Sequence, residues 1–219
     1  MAMGWRLAAV LLTIGAVACV NPFAPKKNTP DDGGTQPAPP ATTPEILMDN
    51  LHRAMRDRDK DLYETLLAPN FWFTESDCQG DVVYANGREE ELTLMGGSRD
   101  GAQLGIFDRF RSFDFDFQLI RRSVELGTEH PAAFPGDPDG HPDEDWEVMR
   151  GRVQMLLLDE NGDGYRVDQI MTYKLRRTSA GLWEIIRWID DPLSGTCTDG
   201  TGKIAVATRG WSDLRHPGM

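Results

Sequence analysis

The chain has 219 residues, a formal net charge of -12 and no run of Lys or Arg to offset that charge locally. Such an acidic surface repels a phosphate backbone, which excludes nucleic acid as a partner, and it holds a folded domain off anionic lipid. The length suits one domain once a leader is removed, and 40% hydrophobic residues can supply one core.

In the first 18 residues Arg6 is the only charge. Leu7–Ala18 is apolar or small except at Thr13 and Gly15, and it ends Ala16-Val17-Ala18-Cys19. This order of charge, apolar run and small residues predicts a secretory signal over residues 1–18. A cysteine at the first mature position resembles a lipobox, with Ala16 where a leucine is usual. The resemblance implies that Cys19 carries the lipid, palmitate included, and anchors the chain to a membrane of the cell envelope. With Val20 rather than aspartate next, it implies the outer membrane where the host has one. The run is too short to span a bilayer, which needs about 20 apolar residues. A soluble secretory signal that leaves Cys19 free is the alternative. Residues 19–44 are rich in Pro and Thr and nearly devoid of large apolar residues after Phe23, the composition of a flexible tether.

Acylation of Cys19 would leave Cys78 and Cys197 as an even pair in an oxidising compartment, so a Cys78–Cys197 disulfide is expected, with two free thiols as the alternative. Neither has a second ligand close in sequence, so no metal site is expected on them.

The folded domain is expected over residues 45–192, followed by an extension over 193–219. Ile46, Leu47, Leu51, Ala54 and Met55 recur at helical spacing. Asp59 is placed to cap a second helix over Lys60–Leu67, which Ala68-Pro69-Asn70 ends. Phe71–Thr74 and Asp81–Ala85 read as short strands, and Arg88–Met95 as a helix stopped by Gly96-Gly97. Strands then dominate. Phe113, Phe115, Phe117 and Leu119 alternate with polar residues, as do Met149, Val153, Met155 and Leu157 within Trp146–Leu158. Tyr165–Arg177 repeats the pattern with Val167, Met171, Tyr173 and Leu175. Leu182–Ile189 is a last strand, apolar on both faces. The joins at 159–164 and 178–181 are hairpin turns, which makes the last three strands an antiparallel meander. The predicted class is α+β, N-terminal helices on a curved, mainly antiparallel sheet.

Leu66-Leu67-Ala68-Pro69-Asn70-Phe71-Trp72-Phe73, after a helix pair with a charged bend, resembles the start of nuclear transport factor 2-like (SnoaL-like, cystatin-like) domains, with Asn70 for the usual aspartate. Gly181-Leu182-Trp183-Glu184-Ile185-Ile186-Arg187-Trp188-Ile189-Asp190-Asp191 resembles their last strand. The resemblance covers roughly residues 45–192 and implies a cone-shaped fold with a pocket between helices and concave sheet. Its lining would draw on Tyr63, Trp72, Met155, Tyr173 and Trp188, with Arg121 or Arg150 to anchor an anionic group. The fold hosts both enzymes and noncatalytic members, so it does not fix an activity.

Local motifs add little chemistry. Asp159-x-Asn161-x-Asp163-Gly164 matches the start of a calcium loop, but its twelfth position is Ile170, so a solvated turn is expected. Residues 127–145 hold His130, His141 and many carboxylates without the spacing of a structural metal site, and read as a mobile acidic loop. His52 sits beside Asp49 and Arg56 on an exposed helix face. No catalytic residue, cofactor or metal is assigned. The reading favoured is a noncatalytic envelope lipoprotein whose domain binds a small apolar ligand or an envelope protein. The alternative is an isomerase, dehydratase or hydrolase acting on a hydrophobic substrate. A buried carboxylate facing the interior would favour the enzyme, and an interior filled by Phe113, Phe115, Met155 and Trp188 would favour a structural or interaction role.

Overall fold

Thr43 starts the fold. Its Oγ1 accepts a hydrogen bond from Ile46 N at 3.3 Å, and Pro44 takes the first helical position, where no amide hydrogen is required. Helix α1, Pro44–Asp57, buries Leu47, Met48, Leu51, Ala54 and Met55. Arg58 ends it in the left-handed conformation at φ 55°, and Asp59 caps α2, Lys60–Leu66, through Leu62 N at 2.9 Å. The structure, a computed structural model, describes residues 37–77, 79–191 and 211–215, without the side chains of 212 and 213. The signal segment, Cys19 and the Cys78–Cys197 pair lie outside the described residues.

The described residues from Ala38 onward form one compact unit. Within the stretch expected as tether, Ala41 is buried, its carbonyl accepts from Trp183 N at 2.7 Å, and Pro39 O accepts from Asn50. The chain passes from α2 straight into β1 (Leu67–Ser76), then β2 (Val82–Gly87), α3 (Arg88–Gly96) and the short α4 (Ile106–Arg109). Strands β3 (Ser112–Glu125), β4 (Trp146–Leu158), β5 (Gly164–Arg177) and β6 (Trp183–Asp191) follow, and α5 (Trp211–Arg215) closes the described chain. The sheet has six strands in the order β2-β1-β6-β5-β4-β3. The α+β class is the expected one: helices on a mostly antiparallel, curved sheet. One pairing had no sequence signal, β1 parallel to β6, with Phe73 opposite Trp188.

Two bulges set which side chains face inward. Lys174 pairs with Arg187 and Leu175 with Ile185, so Ile186 is the extra residue of a β-bulge. Ile185 and Trp188 consequently join the main core, while Ile186 packs outward with Ala68 and Trp146. That bulge accounts for a strand apolar on both faces. Ile120 is likewise skipped between the pairs Leu119–Gly151 and Arg121–Arg150. The expected apolar alternation stays covered only as far as Phe117, and Leu119 and Ile120 are 49% and 62% exposed. Gly151 faces the Phe117 ring so closely that a Cβ there would lie 2.4 Å from it, which lets that ring cross the strand. At the β4–β5 hairpin, Asp159 Oδ1 accepts from Asn161 N at 2.9 Å and Asp163 N at 3.0 Å, and Gly162 takes φ 85°. That geometry is a polar turn.

The loop 127–145 is tied down rather than loose. Gly127 N donates to Asp145 Oδ1 at 2.9 Å and His141 N to His130 O at 2.9 Å. Asp139 takes both Nε and Nη2 of buried Arg187 at 3.0 Å each, while Arg187 Nη1 donates to Trp72 O at 3.0 Å. Burial opposes charge on Asp139, but its bonds to Arg187 hold the carboxyl below the usual range.

Candidate functional site

Inside the sheet, apolar packing is interrupted by one cluster of buried polar groups. Helix α3 begins Arg88-Glu89-Glu90-Glu91, a run suited to a helix N-terminus, yet Glu91 shares an inward face with Met95 one turn later, and both are fully buried. Glu91 Oε1 accepts from the Tyr63 hydroxyl at 2.7 Å and Oε2 from Asn86 Nδ2 at 3.1 Å. Oε2 also pairs with Arg215 of α5, and both side chains of that pair are 0% exposed. Burial, with the Glu91 charge adding to it, pushes the Tyr63 phenol well above its ordinary pKa and keeps it protonated as a donor.

Asp190 lies on the same inward face of β6 as Trp188, opposite Met171 of β5 and Glu75 of β1. It is fully buried, and neither carboxyl oxygen has a hydrogen-bond partner among the described residues. Burial, reinforced by the nearby Glu75 charge and opposed by Arg215, raises its pKa well above that of an ordinary aspartate. A carboxyl in this state keeps its proton above the usual aspartate range.

The C-terminal helix lies in this interior. Trp211 stacks on Trp188 at 6.4 Å and 10°, and meets Phe113 edge-on at 6.2 Å. The Arg215 guanidinium sits 3.7 Å above the Phe73 ring. The fit is incomplete. Among the described residues, Nε and Nη1 of Arg215, and Nε1 of Trp211, have no hydrogen-bond partner. A buried guanidinium donating through Nη2 alone is a costly occupant, whereas Arg187 has all its paired nitrogens met by Asp139 and Trp72. From outside, a cleft of about 310 Å³ lined by Lys60, Leu92 and Phe107 reaches Tyr63 between α2 and α3.

Of the residues expected to line a pocket, Tyr63, Met155, Tyr173 and Trp188 are brought together in the core. Three are placed elsewhere. Trp72 alternates with the inward Phe71 and Phe73, so it is half-buried on the opposite face beside Gly87. Arg121 follows the β3 bulge and is exposed. Arg150 is on the outer face too, paired with Asp191 and Thr172. Phe113, Phe115, Met155 and Trp188 fill the interior, and a buried carboxylate faces it as well, so both features that were to separate the two readings are present. Glu91, Asn86, Asp190, Trp211 and Arg215 were not anticipated. The spacings Glu91–Met95 and Trp188–Asp190 were the available signals.

No family model and no curated protein matches the chain. Among solved structures it is similar to a conserved protein from Planctomyces limnophilus, at 13% identity and TM-score 0.48, covering 67% of this chain and 91% of that one. It is also similar to a nuclear transport factor 2-like superfamily protein from Salmonella enterica, at 11% identity and TM-score 0.45, covering 72% and 92%. A ketosteroid isomerase-like protein from Erwinia carotovora atroseptica matches at 12% identity and TM-score 0.44, covering 68% and 93%. Likenesses this distant carry no argument about activity.

Proposed function

We propose that the protein is a lipid-anchored envelope protein whose domain binds, in its interior, a small ligand or partner segment with an aromatic body and a cationic head. The observation that carries this reading is the occupant already in place. Glu91, held by Tyr63 and Asn86, meets a guanidinium that lies over the Phe73 ring, and Trp188 meets the neighbouring indole of Trp211. A ligand whose cationic head meets Glu91 with its donors better satisfied than those of Arg215 would displace α5 and release that guanidinium to water. Cys19, through its acyl chain, would hold the domain at the membrane.

The test uses the full chain with Trp211→Ala and Arg215→Ala together, titrated with benzamidine by calorimetry. One equivalent should bind the doubly substituted chain, at least about tenfold more tightly than the parent, a difference of about 1.4 kcal/mol. Adding Glu91→Gln should remove that binding. Equal, or no, binding in the parent and the double variant would defeat the proposal.

Asp190 favours a second reading, proton transfer on the bound molecule. Its neutral carboxyl would act as general acid, or as base once deprotonated. In that case Asp190→Asn would abolish turnover of a ligand while leaving its binding intact.

A further inference from the structure

We propose that Glu125, His130 and His141 form a binding site for a divalent transition-metal ion, of the class that takes two imidazoles and a carboxylate. One ligand atom from each residue lies within 4.8 Å of the others. The group sits where β3 ends and the loop 127–145 folds back before β4, on a different part of the domain from Glu91.

The tautomers make these histidines ligands rather than ordinary loop residues. His130 Nδ1 lies 3.1 Å from Leu126 O, and His141 Nδ1 lies 2.7 Å from Glu144 O. A carbonyl oxygen can only accept, so both Nδ1 atoms carry hydrogen. In each neutral imidazole the lone pair is then on Nε2, turned away from the backbone. A ring whose other nitrogen donates to a carbonyl is the usual outer-shell arrangement of a metal-bound histidine. His141 Nε2 makes no hydrogen bond among the described residues, although the side chain is 1% exposed, and it lies 3.6 Å from Glu125 Oε2. A buried acceptor with no donor calls for one, and a cation supplies it.

The scaffold is rigid where it needs to be and open on one side. His141 N donates to His130 O, which fixes the two residues across the loop, and the His141 ring stacks on Trp146 at 3.8 Å and 16°. Gly127 permits the loop to close, since a Cβ there would lie 2.5 Å from the carbonyl oxygens of His141 and Glu144. His130 and Glu125 are half-exposed, which leaves an approach from solvent and room for water in a remaining coordination position.

Three features oppose the ion. The His130 and His141 rings stack nearly parallel at 4.8 Å and 14°, so one ion cannot lie in both ring planes until His130 turns about its side-chain bonds. Metal–nitrogen bonds of about 2.0–2.1 Å also require the three ligand atoms to draw together. Lys174 Nζ stands 2.9 Å from Glu125 Oε2 and competes for that carboxylate. It has alternatives in Asp139, at 3.4 Å, and the face of Trp146, at 5.8 Å. Nitrogen-rich sites of this kind favour the later divalent ions of the first transition row over magnesium or calcium.

The test is titration of the full chain with cobalt(II), read by its visible d–d absorption, followed by displacement with zinc. One equivalent should bind and give a band without the near-ultraviolet charge-transfer absorption of a thiolate ligand. His141→Ala should remove that band. His130→Ala and Glu125→Gln, both at half-exposed positions, should each weaken binding at least about tenfold. Lys174→Met should strengthen it by removing the competing ammonium. Since His141 packs on Trp146, its variant counts only where circular dichroism matches the parent, and the other three decide the matter without it. Absence of a one-to-one complex, or a cobalt band unchanged in both His130→Ala and Glu125→Gln, overturns the proposal.

Discussion

Replacing Arg215 with Met removes the guanidinium that neutralises Glu91 in the interior. If water stayed out, breaking one half of a fully buried ion pair would cost about 3–5 kcal/mol. Helix α5 is five residues long and sits at the end of the described chain, so lifting it away is an alternative to leaving Glu91 buried and unpaired. A buried tryptophan removes about 150–250 Å² from water, which for Trp211 is about 4–6 kcal/mol at 25 cal/mol per Å². Leu214 adds about 1.5–3 kcal/mol, and ordering the five backbone residues opposes with about 5–10 kcal/mol. Burial and ordering nearly cancel, so the ion pair decides whether α5 docks. Arg215→Met should therefore undock the helix and expose Trp211, while the unfolding free energy of the sheet falls by less than about 2 kcal/mol. The fluorescence difference between Arg215→Met and Arg215→Met with Trp211→Phe isolates Trp211, and urea titration gives the stability. A loss of 3–5 kcal/mol with Trp211 still shielded would refute the reasoning and make α5 a permanent part of the core.

Three further outcomes are expected. Asp190 has a raised folded-state pKa, so the folded protein binds its proton more tightly than the unfolded chain, and this residue's contribution to stability falls as pH rises above the ordinary aspartate range near 4. Asp190→Asn should consequently be more stable than the parent at pH 7, with the gap closing below about pH 4 and no part of the difference steeper than about 1.4 kcal/mol per pH unit; paired urea titrations across pH would show it. Met155→Ala should lose about 2–5 kcal/mol in urea titration, since that side chain is 2% exposed in the core. Cys19→Ala should abolish acyl labelling and shift the protein from the membrane to the soluble fraction of cells expressing it.

Alternation read β4 and β5 well because each has one face on the core, where a one-residue slip would invert every side chain. It failed at the two bulges, since an extra residue at Ile120 or Ile186 changes no local composition. The resemblance put Trp72 in the lining, and alternation offered no correction, because period two cannot choose a face when Phe71-Trp72-Phe73 is apolar throughout. The polar cluster was hidden for a different reason. Glu91 is the third acid of a run that suits a helix start, and its burial depends on Tyr63, Asn86 and Arg215 arriving from three other parts of the chain. The loop 127–145 looked mobile because carboxylates dominate it, while its anchors are backbone bonds and an arginine on β6.

The parallel pairing of β1 with β6 places Leu67 beside Ile185 and Phe73 beside Trp188, residues more than a hundred positions apart. Hairpins from β3 to β6 can zip locally, but β1 and β2 gain a place in the sheet only after β6 has left the ribosome. Contacts of such high sequence separation slow folding, because closing the intervening chain loses entropy before any contact rewards it. The same lateness exposes the aromatic edge of β1 in the interim, so the incomplete chain is the form most prone to aggregate.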